Sequence, residues 1–215
     1  MYRKNLGMCQ PFRMPRPPLL SDEAILERAF TAFASAGYDA MSVRALNAEL
    51  GLSHETISKR FGPKADLFRA AVVYGVAIFI ADFDAAVQER PSVDDLERLN
   101  AMVRAFMVAI SRNPTLGELL HHEGIGEPDR AELMSESGLF ERLAELVELL
   151  DRLHADGVIR ATQLRELWFL MQGAVGPLRF QGLSKMFDQV DGPVDADELI
   201  ERMSAAIMRG MRVDD

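Results

Sequence analysis

The chain has 215 residues, 48% of them hydrophobic, which is enough to bury a sizeable core in two parts, and it carries a formal net charge of −9. So acidic a balance excludes a protein that coats nucleic acid along its whole length. A single cysteine, Cys9, excludes an internal disulfide and suits a reducing cytoplasm, and the longest apolar run, Ala70 to Ala81, has 12 residues against the ~20 that span a bilayer. With no continuous apolar signal core at the N-terminus either, a cytoplasmic protein without a membrane partner is expected.

The charge is uneven along the chain. Residues 1–75 carry 10 Lys and Arg against 7 Asp and Glu, a surplus of three, whereas residues 76–215 carry 14 against 26, so the helix-turn-helix part read below is expected to be the basic part. Within the basic part, residues 1–20 hold Arg3, Lys4, Arg13 and Arg16 and no acidic residue, and Pro11, Pro15, Pro17 and Pro18 forbid a regular helix. This segment reads as a flexible basic arm, suited to follow a DNA backbone or enter a minor groove; a solvated tail is the alternative.

Residues 21–70 read as a three-helix DNA-binding unit. Ser21 can cap a helix opened by Asp22 and Glu23, in which Ile25, Leu26, Ala29, Phe30 and Phe33 recur at helical spacing until Gly37. Ser42 can cap a second helix with Val43, Leu46 and Leu50 on one face and Gly51 as its stop. Ser53 can cap a third, so the connection is short and contains glycine, the layout of a helix-turn-helix reader of the major groove. On a helical wheel Ile57 and Phe61 point inward and Glu55, Thr56 and Lys59 outward; Ser58 flanks that face, and His54 projects from the end that enters the groove. Glu55 can accept from cytosine N4, and His54 or Lys59 can donate to guanine. A charged corner of a helical bundle would show the same spacing; the preceding helix and the Gly62-Pro63-Lys64 start of the next favour DNA, because a lysine beside free helix amides attracts phosphate.

The remainder, residues 71–215, shows no alternating β-branched runs, and the expected fold is all-α with about nine helices. The fourth helix is expected from Lys64 to near Gln88, the fifth from Ser92 to before Pro114, the sixth to His121 and the seventh from Gly138 to Ala155. The last two are expected over Leu164–Leu183 and Asp195–Met211. Leu164, Leu167, Met171 and Val175 form one apolar stripe and Leu199, Met203, Ile207 and Met211 another, so the two helices can build either an intramolecular core or a four-helix dimer interface.

From Ile25 to about Leu67 the chain resembles the TetR family of bacterial transcriptional regulators. The stretches that carry the likeness are ILERAFTAFASAGYDAMSVRAL, ELGLSHETISKRF and GPKADLF: an apolar first helix, a Gly-Tyr corner, a terminal Phe and a capping Lys. The resemblance implies a DNA contact at Arg44, base reading at His54 and Glu55, and phosphate contacts at Thr56 and Lys64. Ser42, Ser53, Ser58 and Lys59 complete the candidate DNA-binding set. Two positions depart from the family pattern: Ser58 replaces a tyrosine whose hydroxyl reaches phosphate, and Asn47 replaces a small alanine between the helices.

The resemblance also implies a larger helical domain for ligand binding and dimerisation. Phe79, Phe83, Met102, Phe106, Met107, Trp168 and Met171 lie where a small-molecule effector pocket forms, with His121, His122, Gln172 and Trp168 as polar anchors for a largely apolar ligand. Leu164, Leu167, Val175, Leu199, Met203 and Ile207 become dimer-interface candidates, and a two-fold homodimer would require a pseudo-palindromic operator. The expected function is a repressor of transcription released from double-stranded operator DNA by its effector, with no enzyme activity, cofactor or metal. The alternative is a helical-bundle metalloenzyme using the pairs Glu118/His121 and Asp151/His154, which supply only part of the ligand set of a di-iron site.

Overall fold

The computed structural model describes residues 20–121 and 135–213, the side chains of Leu120 and His121 excepted. Nine helices of six residues or more lie among the described residues: α1 (Asp22–Ala40), α2 (Val43–Glu49), α3 (Thr56–Phe61), α4 (Lys64–Gln88), α5 (Asp95–Arg112), α6 (Pro114–His121), α7 (Leu139–Ala155), α8 (Leu164–Ala174) and α12 (Ala196–Met211). Single turns α9 (Gly176–Arg179), α10 (Gln181–Ser184) and α11 (Asp188–Asp191) connect α8 to α12. The described residues contain no strand, only a single bridge from Ile159 to Arg212, so the fold is all-α.

Most boundaries follow the sequence signals. The Ser21 hydroxyl accepts from the Ala24 amide, Ser42 from Ala45, Asp94 from Glu97 and Asp195 from Glu198, each satisfying an amide that the first turn leaves open. Gly37 breaks α1 in a left-handed conformation (φ 79°), after which a last turn runs to Ala40. The expected single helix over Leu164–Leu183 is the main correction, for it ends at Ala174 and restarts as separate turns. Pro177 lacks an amide to donate, and in a continued helix its ring would meet the Gly173 carbonyl.

Helix α4 is the spine. It packs on α1 and α3 at one end and on α5 and α6 further along, and Leu67, Phe68, Ala71, Val72, Val76 and Phe79 are all buried. By length and composition it could cross a membrane, since a window of mean hydropathy 1.9 tolerates the aspartates that end the uninterrupted apolar run. Here its apolar face is the core of the protein. Helix α5 is the second pillar: ten of its eighteen residues are buried between α4, α7, α8 and α12. At its edge the Glu201 carboxylate accepts from Arg90 at 2.5 Å and Arg104 at 2.6 Å, tying α12 to α5 and to the end of α4. Burial works to raise the Glu201 pKa, but the two guanidiniums outweigh it and hold the carboxyl below its ordinary value.

The α1–α4 crossing depends on one missing side chain. A Cβ at Gly75 would stand 2.4 Å from two ring carbons of Phe30, a distance that real contacts do not reach. Gly75→Ala should therefore lower the unfolding free energy by about 1–3 kcal/mol, the usual cost of overpacking, as measured by urea denaturation. Adding Phe30→Leu should recover part of that loss, because the two changes share one contact.

Candidate DNA interface and effector cavity

Asn47 fixes α3 against α2. Its side chain is fully buried, and its amide nitrogen donates to the Val43 carbonyl at 3.0 Å and the His54 carbonyl at 3.2 Å while its carbonyl accepts from the Ile57 amide at 3.3 Å. The residue that breaks the family pattern thus satisfies its own polar atoms and spans both helices. Beneath it Ile57 is fully buried and Phe61 partly so, as the helical wheel requires.

Helix α3 begins later than its sequence suggests. The Ser53 hydroxyl does not cap it; it shares a hydrogen bond with the Thr56 hydroxyl at 2.7 Å, while the Ser53 carbonyl accepts from the Thr56 amide at 3.0 Å in a turn that precedes the helix. His54 lies in that turn and is exposed. Arg44, Ser42, Ser53, Glu55, Ser58 and Lys59 are exposed with it and form the open side of α2 and α3, whereas Thr56, expected to face outward, and Lys64 are half-buried. Glu55 and Lys59 pair at 2.6 Å and are 72% and 74% exposed. Such a pair is worth a few tenths of a kcal/mol in water and gives way readily to a better partner.

Two cations position this surface. Lys64 donates to the Asp39 carbonyl at 3.1 Å and lies 4.8 Å from the centre of the Tyr38 ring. Tyr38 in turn packs against Phe33 and Phe68, so the Gly-Tyr corner and the capping lysine form one contact. Arg60, absent from the sequence-based candidates, donates to the Leu20 carbonyl at 2.6 Å and to Asp22 at 3.2 Å, binding α3 to the start of α1. Its position on the inner flank of α3 was the available signal. The charge expectation also needs correction. Residues 21–75 hold six Lys and Arg against seven Asp and Glu, so the surplus of the N-terminal part resides in Arg3, Lys4, Arg13 and Arg16, which lie outside the described residues together with Cys9.

In the second domain, Phe79, Phe83, Met102, Phe106 and Trp168 converge on one cavity, joined by Ile80, Leu139, Arg142, Leu143 and Leu146. Its volume is only about 30 Å³. Phe106 meets Phe79 edge-on at 5.6 Å and Trp168 at 4.8 Å. Three expected members go elsewhere: Met107 and Met171 are buried in the core away from the cavity, and Gln172 lines a separate surface groove. The His121 side chain and His122 lie outside the described residues.

The dimer candidates also divide. Leu167, Val175 and Leu199 are buried within the protomer, which leaves them no surface to offer, and Leu164, Met203 and Ile207 are partly covered by its core. From α8 to α12 the large apolar side chains that are exposed include Phe169, Leu170, Phe180, Leu183, Met186 and Phe187. As for the metal alternative, the two pairs sit on different helices. Asp151 and Glu118 are exposed, the His154 Nδ1 lies 3.3 Å from the Ile159 carbonyl, and no group of three or more His, Cys, Asp or Glu gathers among the described residues.

This arrangement defines a class: an all-α protein with a helix-turn-helix unit joined by a long helix to a helical domain. Residues 25–71 match the family model of bacterial regulatory proteins, tetR family. Uncharacterized HTH-type transcriptional regulators of Mycobacterium bovis and Mycobacterium tuberculosis are 32% identical over 100 residues, a match that spans 40% of this chain and 46% of theirs. The fold is shared with a TetR family transcriptional regulator from Thermus thermophilus (23% identity, TM-score 0.58, 88% of this chain and 99% of that one). It is also shared with a TetR family transcription regulator from Marinobacter aquaeolei (19%, TM-score 0.64, 88% and 94%) and the ketosteroid transcriptional regulator of Mycobacterium tuberculosis (18%, TM-score 0.60, 88% and 94%). The likeness to the tetR family is thus carried by residues 25–71, and over the rest of the chain it is one of fold.

Asn47→Ala would leave the Ile57 amide and the His54 carbonyl without their side-chain partner. It should cost about 1–3 kcal/mol in urea denaturation and speed amide hydrogen exchange at Ile57 more than at Ile25.

Proposed function

We propose that the chain is a cytoplasmic, dimeric, ligand-responsive repressor of transcription that binds a pseudo-palindromic operator through α3 and the exposed ends around it. The observation that carries this reading is the open side of α2 and α3, where Arg44, His54, Glu55, Ser58 and Lys59 face solvent on a scaffold held by Asn47 and Arg60. On DNA, the Glu55–Lys59 pair separates and each partner takes a base edge or phosphate; His54 and Arg44 flank them. Lys64 serves both the corner at Asp39 and a neighbouring phosphate. Two such helices must stand one turn of DNA apart, ~34 Å, and effector entry beside α4 alters that spacing. DNA and effector then oppose one another by linkage.

A gel-shift assay with the promoter nearest its own gene tests the reading. A complex that survives nonspecific competitor DNA at moderate salt is expected, and its absence for dimeric protein would sink the operator assignment. Because the positive surplus resides in residues 1–20, removing residues 1–19 should weaken binding to all sequences and flatten the slope of log K against log salt by about 2–4 if each of the four cations meets one phosphate. An unchanged slope would make that segment a bystander.

The dimer reading moves to a different surface from the sequence stripes. Phe180, Leu183 and Phe187 line an open groove with Gly173, at which a Cβ would meet nothing within 4 Å, and Phe169 and Leu170 are 64% and 55% exposed on α8. So much apolar surface in one region is the mark of an interface, and a second copy of the chain is the occupant proposed here. Leu183→Glu and Phe169→Glu should shift the protein toward monomer in sedimentation experiments while leaving its circular dichroism unchanged. A dimer that persists in both variants would place the interface elsewhere.

A further inference from the structure

The wall of the small cavity is apolar or aromatic at every position except Arg142. This guanidinium, on α7, donates to the Asp84 carboxylate of α4 at 2.5 Å. The two side chains are 43% and 32% exposed, so the pair stands at the boundary between solvent and the aromatic interior. A guanidinium has five N–H donors, and one carboxylate oxygen does not exhaust them. We infer that the cavity takes a ligand with an apolar body and a single carboxylate, and that the carboxylate replaces Asp84 on Arg142 as the body enters between α4 and α7.

Three physical points carry the assignment. First, the apolar walls give a hydrocarbon or aromatic body its affinity, but a charged wall residue sets which end of a ligand can stay at the rim; a planar fork of donors fits a carboxylate in two-point contact. Second, a cavity of about 30 Å³ holds roughly one water, so a ligand of drug size needs the walls to part. The parting falls between α4 and α7, where the Asp84–Arg142 pair is the tie that must open. Third, Asp84 lies on the helix whose other end carries Lys64 and whose middle is locked to α1 at Gly75, so a ligand that releases Asp84 loosens α4 where it meets the second domain. The aromatic set Phe79, Phe83, Phe106 and Trp168 would also attract a cation, but Arg142 opposes one at the wall, and a cation would have to reach Asp84 beyond it.

The inference deepens the effector reading above, yet its binding arm needs no DNA, so the two fail separately. Trp168 is the only tryptophan of the chain and lines the cavity, which makes its fluorescence the readout. The full chain is titrated with decanoate, decanol and decyltrimethylammonium below their micellar ranges, and with 2-naphthoate against 2-naphthol for a flat body. In at least one series the carboxylate should bind tighter than its alcohol by about tenfold or more, the worth of a hydrogen-bonded charge contact. Arg142→Gln should erase that difference, Arg142→Lys should retain part of it, and Asp84→Asn should tighten carboxylate binding by removing the internal competitor. Equal affinity for acid and alcohol in both series, a preference for the ammonium compound, or no response to any of the five would overturn the assignment. Should Arg142→Gln fail to fold, as judged by circular dichroism, the Asp84→Asn result decides: weaker or unchanged carboxylate binding there defeats the exchange.

Discussion

The ring of Phe30 occupies the space where a side chain at position 75 would stand, and the relation between the two halves of the molecule follows from that contact. Because α1 can press directly on the backbone of α4, the helix-turn-helix unit is packed onto the same rigid rod that forms one wall of the second domain. Helix α6 extends the coupling, since it packs on α1 as well as on α4 and α5. A displacement of α4 in the second domain is thus carried by close-packed contacts into α1, and α3 follows through Arg60, which holds the start of α1 at Leu20 and Asp22. Glycine is required here for its lack of bulk, whereas Gly37, Gly51 and Gly62 are required for their positive φ.

The helix-turn-helix unit was the most legible part of the sequence because local rules dominate it. Side-chain caps at Ser21 and Ser42, left-handed glycines at 37 and 51, and the inward pair Ile57 and Phe61 each act over a few residues, and the structure repeats them. Asn47 shows where local rules end. From sequence it was a polar residue in a place that wants a small apolar one, and its meaning lay in a hydrogen bond to a residue seven positions away and another ten away. Ser53 shows the reverse error: a residue able to cap a helix found a side-chain partner at Thr56 instead, and the helix started later.

In the second domain, periodicity located the helices but not what their faces meet. Leu167, Val175 and Leu199 repeat at the spacing of an interface helix, and the same spacing is what an internal core demands; the structure uses these three for the core. The apolar surface that stays exposed is carried by Phe169 and Leu170, between Leu167 and Met171 on α8, and by turns that exist because Pro177 interrupts the helix. The aromatic cluster was easier to find, since Phe79, Phe83, Met102, Phe106 and Trp168 are large and apolar wherever they are placed. The one charged residue among them, Arg142, carried no signal in a helix already rich in charge. Its role appears only when α7 is laid against α4.

Charge distribution gives the last constraint on how such a molecule can meet DNA. The folded surface of the N-terminal unit is close to neutral: Lys59 is paired with Glu55, Arg60 with Asp22, and Lys64 with a backbone carbonyl, while the second domain is strongly acidic. On the proposed reading, attraction to a polyanion is left to the cations of residues 1–20 and to internal pairs that exchange partners on contact. An exposed carboxylate such as Glu55 is repelled by phosphate and gains only where a base presents a donor, so it discriminates between sequences more than it adds affinity. On the reading proposed above, a short serine at position 58, where a longer side chain would reach the backbone, leaves an interface suited to selectivity on a modest electrostatic footing.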